Sequence, residues 1–245
     1  MAKLFRNQRV TITSVTQAST DIWLLQFTFP EIHEFLFVPG QFINVGHSSV
    51  LKDDGKTILK RAFSIASPPF FETTLELCIK REEKGKLSPV LTALSPGKTL
   101  DIDGPFGLFT LRENAAEYLF IAGGSGIAPF ASMIRHLLHQ GITVPITLIY
   151  SIRKPNDYCY CEAFEKLAQL HKNFSIVVTC TRVEELDHWE GQTGRISSEI
   201  LTAHIHNPSL ALSYLCGPQS FVDSMRAILA QMGMKKEQIL FERWG

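Results

Sequence analysis

The sequence has few cysteines, and none of them are paired at a metal-binding or redox spacing. The five are odd in number and contain no C-x-x-C pair: Cys78, Cys159, Cys161, Cys180 and Cys216. This pattern argues against a disulfide framework and against a zinc or iron–sulfur centre. It favours a reducing compartment, so we expect a cytoplasmic protein.

Long apolar runs and net charge are also missing. No segment approaches the roughly 18 apolar residues that a membrane-spanning helix needs, and no apolar run follows the basic amino end as in a signal peptide. Lys plus Arg and Asp plus Glu number 24 each. We therefore expect no membrane insertion and no nucleic-acid partner, and any charged partner must be recognised by a local patch.

Short runs with period-two alternation occupy the chain up to about residue 112. Six runs rich in β-branched and aromatic residues, separated by Pro, Gly, Asp or Ser, predict a small antiparallel barrel. The apolar spacing of LSPVLTAL predicts a short helix between the last two strands. The polar segment HSSVLKDDGKTILK, residues 47–60, is interpreted as an exposed loop or hairpin.

After residue 112 the pattern changes to strands that alternate with amphipathic helices, from YLFIAGG to QILFERW. This alternation predicts right-handed βαβ units and a doubly wound parallel sheet that is covered on both faces. We therefore predict two domains, a barrel over residues 1–112 and an α/β domain over residues 113–245.

The segment LFIAGGSGIAPF, residues 119–130, is typical of a strand, a glycine-rich turn and a helix. Gly124, Ser125 and Gly126 would lie where an open sheet binds ligands, with backbone amides able to approach a phosphate. Pro129 takes the place of the third glycine of a GxGxxG fingerprint, which the first turn of a helix tolerates. A purely structural tight turn would use the same glycines.

Basic residues, instead of an acid, occupy the predicted tips of the next two strands. Arg153 and Lys154 follow the second strand, where the fingerprint expects an acid that binds the adenosine ribose. Thr181 and Arg182 end the third strand, and Arg195 follows. Because guanidinium groups match phosphate oxygens, this set favours NADP over NAD, although solvated surface arginines would give the same pattern.

Six motifs follow one another along nearly the whole chain: RAFS (61–64), GKLS (85–88), GPFG (104–107), AGGSGIAPF (122–130), CGPQSF (216–221) and the final FERWG. In this order the chain resembles the ferredoxin–NADP reductase family of flavoenzymes. The resemblance implies a flavin-binding antiparallel barrel followed by an NAD(P)-binding parallel sheet. The glycine turn of this family commonly reads GxGxxP, which accounts for the proline.

The resemblance implies roles for residues of the barrel. Arg61 would hold a flavin phosphate, Phe63 would pack against the isoalloxazine, and Ser64 would donate a hydrogen bond near N5. GKLS would clamp a pyrophosphate, which suits FAD, and Ser88 would also cap the short helix. The FAD contacts implied are Arg61, Ala62, Phe63, Ser64, Ile79, Lys80, Lys86, Leu87, Ser88 and Trp244.

The resemblance also implies a nicotinamide pocket. Cys216, Gly217 and Pro218 would form its wall, with the Cys216 thiol orienting the ring. Glu242 would tune the flavin or relay protons near it. Buried packing for the cysteine and a surface position for the glutamate are the plain alternatives. NADP would be held by Gly124, Ser125, Gly126, Arg153, Thr181, Arg182, Arg195, Cys216, Gly217 and Pro218.

Trp244 is the penultimate residue of the chain. By resemblance it would stack on the flavin face opposite Phe63 and would move before nicotinamide binds. The alternative is a strand residue that plugs a hydrophobic patch.

The implied activity is that of an FAD-containing NAD(P)H reductase, acting as a cytoplasmic monomer with a separate carrier such as ferredoxin or flavodoxin. Ser64, Cys216 and Glu242 would lie at the hydride-transfer site. Phe63 stands where the family often has tyrosine. Phenylalanine at this position is associated with flavin reductases of the same superfamily, which treat flavin as a substrate. An NAD(P)H:flavin reductase, a reductase component of an oxygenase system and a non-catalytic redox sensor stay open as alternatives.

Overall fold

The computed structural model describes residues 4–29, 35–70, 74–184 and 187–244. The chain divides into two compact units, Met1–Leu111 with Ala131–His136, and Arg112–Phe130 with Leu137–Gly245. Each unit contains one six-stranded sheet. The exact domain boundary given by the sequence stays a prediction.

The sheet of the first unit is antiparallel, with the strand order β4-β3-β6-β1-β2-β5. Its ends approach each other, because Ile65 bridges Leu77 and the Ala66 N–H donates to the Glu76 carbonyl at 2.8 Å. The antiparallel barrel predicted from the alternation is thus confirmed. The strands are β1 (Phe5–Gln17), β2 (Ile22–Thr28), β3 (Phe42–Leu51), β4 (Ile58–Ser64), β5 (Thr74–Lys80) and β6 (Thr99–Phe106).

Alternate residues of these strands point into one apolar core. The core includes Val10, Leu25, Ile43 and Leu100, each 0% exposed. Burial of this kind contributes roughly 25 cal/mol per Å² of apolar surface, so the alternation that predicts the strands is also what stabilises them. The short helix α1 (Ser88–Thr92) lies between β5 and β6, as predicted.

The polar segment 47–60 forms a hairpin. Strands β3 and β4 pair out to Leu51 and Ile58, which leaves residues 52–57 as its tip. Asp54 orders the tip by accepting hydrogen bonds from the backbone N–H groups of Lys56 and Thr57 at 2.9 Å each, and from the Thr57 hydroxyl at 2.6 Å. These bonds, chiefly that of the hydroxyl, lower the pKa of Asp54 to about 2.

The sheet of the second unit is parallel, with the order β10-β9-β8-β7-β11-β12. The predicted doubly wound arrangement is confirmed, and the two-residue edge strand β10 is an addition to it. The strands are β7 (Glu117–Gly123), β8 (Ile146–Ile152), β9 (Phe174–Cys180), β10 (Gln192–Thr193), β11 (Ala211–Pro218) and β12 (Ile239–Trp244). The helices are α2 (Ile127–His139), α3 (Cys161–Leu170), α4 (Ser198–His204) and α5 (Gln219–Gln231).

The central strand β7 is buried along its whole length, as expected of a strand covered on both faces. The centroid of the Phe120 ring lies 5.2 Å from the Phe130 ring centroid and 5.3 Å from the Tyr214 ring centroid. Leu119 and Ile121 belong to a second cluster with residues of α4 and α5. After β7 the chain builds the sheet outward through β8 to β10, then returns to add β11 on the other side of β7. In open α/β sheets, ligands commonly bind where the strand order reverses in this way, which here is at the carboxyl ends of β7 and β11.

Candidate cofactor sites

The glycine-rich turn lies at this reversal point. β7 ends at Gly123, a 3₁₀ turn spans Gly124–Gly126, and α2 starts at Ile127. Gly124 has a φ of +55°, in the left-handed region that favours glycine. Pro129 is in the first turn of α2, as the sequence predicts, where its missing N–H costs little. The positive end of α2 favours an anion at this turn, where the Ile127 N–H already donates to the Gly124 carbonyl.

The end of β11 lies beside this turn. Gly126 has no room for a Cβ atom, because the carbonyl group of Cys216 lies against its Cα. The backbones of Gly123 and Gly217 are also close, with 3.4 Å between the Gly123 Cα and a Cβ built on Gly217. Two of the predicted nucleotide-binding segments, 124–126 and 216–218, are therefore adjacent.

Strand β12 adds the carboxyl-terminal segment to the same edge. Glu242 pairs in register with Cys216, and Trp244 with Pro218. The Glu242 side chain is half-buried, whereas the Trp244 side chain is 40% exposed, which does not support a residue plugging a hydrophobic patch. Both residues thus lie near the carboxyl ends of the strands, the end of the sheet at which the glycine turn also lies.

The Cys216 thiol is fully buried. Desolvation raises its pKa well above the ordinary value near 9, and the nearby Glu242 carboxylate raises it further. A thiol in this state stays protonated and is a poor nucleophile. The buried thiol is therefore a poor candidate for a nucleophile, and the positioning role of Cys216 stays a prediction.

The predicted arginines lie on neighbouring strand ends. The Arg182 N–H donates to the Arg153 carbonyl at 2.7 Å, and Gly194, which precedes Arg195, donates to the carbonyl at the end of β9 at 2.8 Å. All three arginines are exposed. Their guanidinium groups make no hydrogen bond or ion pair with any residue in the described part of the chain. The Thr181 hydroxyl, by contrast, donates to a backbone carbonyl at 3.1 Å.

Lys154 differs from its three basic neighbours because it has a partner. Its Nζ atom lies 2.6 Å from Oε1 of Glu184. Sequence reasoning missed this acid, because it belongs to the loop after β9 and is far from Lys154 along the chain. We call Arg153, Lys154, Arg182 and Arg195 the basic edge.

In the first unit, the RAFS motif ends β4. Arg61 and Ala62 are exposed, and Phe63 and Ser64 are half-buried, with Phe63 packed against the barrel core. One guanidinium N–H of Arg61 donates to the Lys60 carbonyl at 3.2 Å. An exposed cation, a partly open ring and a small hydroxyl thus follow one another along one strand.

Three of the residues expected to contact FAD have protein partners or are buried in the structure: Lys80, Lys86 and Leu87. Lys86 Nζ pairs with Oδ1 of Asp53 at the hairpin tip, 2.7 Å away, and Lys80 Nζ pairs with Glu82 at 2.9 Å. The Leu87 side chain is 3% exposed, so its backbone is the part available to a cofactor.

Two expectations in this region need correction. Ser88 does not cap α1, since the N-cap residue is Leu87 and no side chain caps the helix. The Ser88 hydroxyl accepts the Glu82 N–H at 2.9 Å instead. The Ile79 side chain is 0% exposed within the barrel core, so it cannot line a flavin from outside the barrel.

The described residues contain no helix that is long and apolar enough to cross a membrane. Across those residues, no group of three or more His, Cys, Asp or Glu side chains is placed to hold a metal ion.

Comparison with known families identifies both units. Residues 9–111 match the oxidoreductase FAD-binding domain, and residues 120–227 match the oxidoreductase NAD-binding domain. The chain thus combines an FAD-binding domain and an NAD-binding domain, both of the oxidoreductase type. Each match covers less than half of the chain, and the two together account for most of it.

Two curated relatives are reductase components of oxygenases. The chain is 33% identical over 211 residues to the reductase component of phenol 2-monooxygenase from Pseudomonas sp. CF600, covering 85% of this chain and 58% of that protein. It is 28% identical over 238 residues to the glycine betaine monooxygenase reductase subunit of Pseudomonas aeruginosa, covering 96% and 64%. The chain thus spans less than two thirds of either relative.

A solved structure shows the same fold. The crystal structure of a ferredoxin NADP⁺ reductase from Neisseria gonorrhoeae with bound FAD and NADP superposes with a TM-score of 0.79. The two chains are 22% identical, with 99% of each covered.

Proposed function

We propose that this protein is an FAD-dependent NADPH reductase that passes electrons to a separate protein carrier. The observation that carries the proposal is the presence of an FAD-binding barrel and an NAD-binding sheet in one chain. Bound FAD supplies the exchange between two-electron and one-electron chemistry. The residues of the chain bind and orient the two cofactors.

On the flavin side, Arg61 is the proposed phosphate ligand, because its exposed guanidinium can form charge-assisted hydrogen bonds. The Phe63 ring offers an aromatic face to the isoalloxazine. Ser64 supplies a hydroxyl near N5. The backbone of the GKLS segment and Lys86 are proposed for the pyrophosphate.

On the nucleotide side, the backbone of the glycine turn at Gly124–Gly126 and the positive end of α2 are proposed to bind the pyrophosphate. Cys216 holds its neighbours in place so that the nicotinamide ring is oriented. Glu242 lies at the same end of the sheet and is proposed to adjoin the nicotinamide, whereas Trp244 is a proposed contact of the flavin. NADPH is favoured over NADH because three exposed arginines without a described partner suit a 2′-phosphate.

For the electron acceptor, the two curated relatives are named as reductases of oxygenase systems. We propose a separate carrier, either a ferredoxin or flavodoxin or an oxygenase component. A second candidate function is an NAD(P)H:flavin reductase, which is favoured by one observation. Phe63 has no hydroxyl with which to tie a bound flavin, so the flavin would exchange more freely.

The decisive experiment is an anaerobic titration of the purified protein, reconstituted with FAD, first with NADPH and then with NADH, followed by absorbance. Rapid bleaching of a yellow protein is expected. A protein with no affinity for FAD would overturn the proposal, and a bound flavin that neither nucleotide reduces would indicate a non-catalytic subunit. Exchange of the flavin with added FMN or riboflavin during turnover would favour the flavin reductase.

A further inference from the structure

The carboxylate of Glu184 lies beside Lys154 of the basic edge. A dinucleotide fingerprint expects an acid after the second strand, to accept a hydrogen bond from the adenosine ribose. Here that strand, β8, is followed by Arg153 and Lys154. The Lys154–Glu184 ion pair of 2.6 Å brings an acid to this strand end from the loop after β9.

Both members of the pair are held by short turns. The Lys154 N–H donates to Oδ2 of Asp157 at 3.0 Å. The Glu184 N–H donates to Oδ2 of Asp187 at 2.8 Å, and the Asp187 N–H donates back to the Glu184 carbonyl at 2.9 Å. The backbone of Glu184 is therefore hydrogen-bonded to Asp187 in both directions, and the Glu184 side chain is 68% exposed.

A carboxylate at this place would affect the two nucleotides in opposite ways. It follows Arg182 by two residues, so their Cα atoms are at most about 7 Å apart. Any 2′-phosphate that Arg182 binds is therefore near a carboxylate, which repels it and also occupies Lys154. A ribose 2′-hydroxyl, by contrast, is a donor that a carboxylate accepts.

We propose that Glu184 sets the choice between NADPH and NADH: it accepts a hydrogen bond from the ribose of NADH and opposes the 2′-phosphate of NADPH. The three arginines favour NADPH and Glu184 moderates that preference, so the site takes both nucleotides. This inference rests on the proposed function, because it assumes that the adenosine half binds at the basic edge.

Half-nucleotides test the inference without any redox reaction. Adenosine 2′,5′-bisphosphate carries the 2′-phosphate and 5′-AMP carries the hydroxyl, and calorimetry measures the Kd of each for the full-length protein. Because the pair is solvent-exposed, each effect is modest. In Glu184→Gln, the bisphosphate is expected to bind about two- to fivefold more tightly and 5′-AMP to bind more weakly by a similar factor. The ratio of kcat/KM for NADPH to that for NADH is expected to rise in parallel.

The matched control is Glu190→Gln, which removes an exposed acid of the same loop that has no ion pair within the described residues. This control is expected to change the two Kd values only by the small, non-specific effect of removing one negative charge. If Glu190→Gln and Glu184→Gln had equal effects, or if the two Kd values moved together, the inference would be wrong and the proposed function would stand. If the wild-type protein bound neither half-nucleotide, the nucleotide site and this inference would both be wrong.

Discussion

Gly126 lies against the carbonyl group of Cys216, so the turn after β7 and the end of β11 are in direct contact. A side chain at position 126 would push the two strand ends apart. The contact explains why glycine is needed here although the backbone conformation does not demand it. The spacing of two predicted nucleotide-binding segments therefore depends on one missing Cβ atom.

Gly126→Ala is expected to lower the free energy of unfolding by about 1–3 kcal/mol, as overpacking usually does, and to raise the KM for NADPH. Denaturant unfolding and steady-state kinetics measure the two effects. FAD binding, which belongs to the other unit, is expected to be unchanged. If the free energy of unfolding and the KM were both unchanged, the close contact at Gly126 would not matter for stability or for nucleotide binding.

Gly124→Ala tests the turn in another way, since Gly124 has positive φ but open space around it. It is expected to cost about 1 kcal/mol of stability from backbone strain. Gly97→Ala is the matched control, because Gly97 also has positive φ and open space but lies in the barrel. Only the change at Gly124 is expected to raise the KM for NADPH. A similar KM change in both variants would contradict the assignment of the turn.

Arg182→Ala is expected to raise the KM for NADPH about ten- to a hundredfold and the KM for NADH less than twofold, since one charge-assisted hydrogen bond to phosphate is worth about 1.5–3 kcal/mol. Arg9→Ala, which removes an exposed arginine of the barrel, serves as the control. Equal changes for both nucleotides would refute the 2′-phosphate assignment.

Ser64→Ala is expected to slow hydride transfer about tenfold, the effect of one lost hydrogen bond of roughly 1.4 kcal/mol near N5. Anaerobic stopped-flow reduction by NADPH measures the rate, and the unfolding transition shows that the barrel is intact. Ser49→Ala, an exposed serine of the hairpin, is the control. A normal rate would remove Ser64 from the hydride-transfer site.

Asp53→Asn is expected to tighten FAD binding about two- to fivefold, because Lys86 would lose the carboxylate that now competes with a flavin phosphate. Riboflavin, which has no phosphate, serves as the control ligand, and its Kd is expected to stay constant. Flavin fluorescence measures both. If riboflavin binding tightened by the same factor, the effect would not come from the interaction of Lys86 with a flavin phosphate.

Cys216 also affects the pH dependence of stability. Its folded pKa lies well above the ordinary value near 9, so the unfolded chain loses this proton at a lower pH than the folded protein. Stability from this group is complete below about pH 9 and falls as the pH rises further, by up to about 1.4 kcal/mol per pH unit. Unfolding at about pH 8 and pH 10 is expected to show a smaller loss in Cys216→Ala than in the wild type. Equal losses would contradict the buried thiol.

The local patterns predict most of this fold, because alternation and helical spacing reflect burial within each element. Strand β10 escaped prediction for a physical reason. It has two residues, and backbone pairing of Gln192 with Thr179 and of Thr193 with Cys180 is what makes it a strand. No periodicity can appear in two residues, so only the partner strand reveals the element.

The candidate sites show the same division. Residue types and spacing located the glycine turn and the arginines at neighbouring strand ends. The partners of Lys86 and Lys154 come from distant parts of the chain, so sequence spacing cannot reveal them. Ser88 was misassigned as a cap because helix starts commonly use serine, whereas here its hydroxyl accepts an N–H from the preceding loop. The cytoplasmic location and the monomeric state stay predictions.

The bridge between Ile65 and Leu77 bears on how the barrel folds. These residues are close in sequence, so joining the ends of the sheet loses little chain entropy. Strand β6 instead pairs with β1 and β3, which precede it by a long stretch of chain. Contacts of high sequence separation slow folding, so the arrival of β6 between β1 and β3 would govern the folding rate, and the seam at Ile65 would form early.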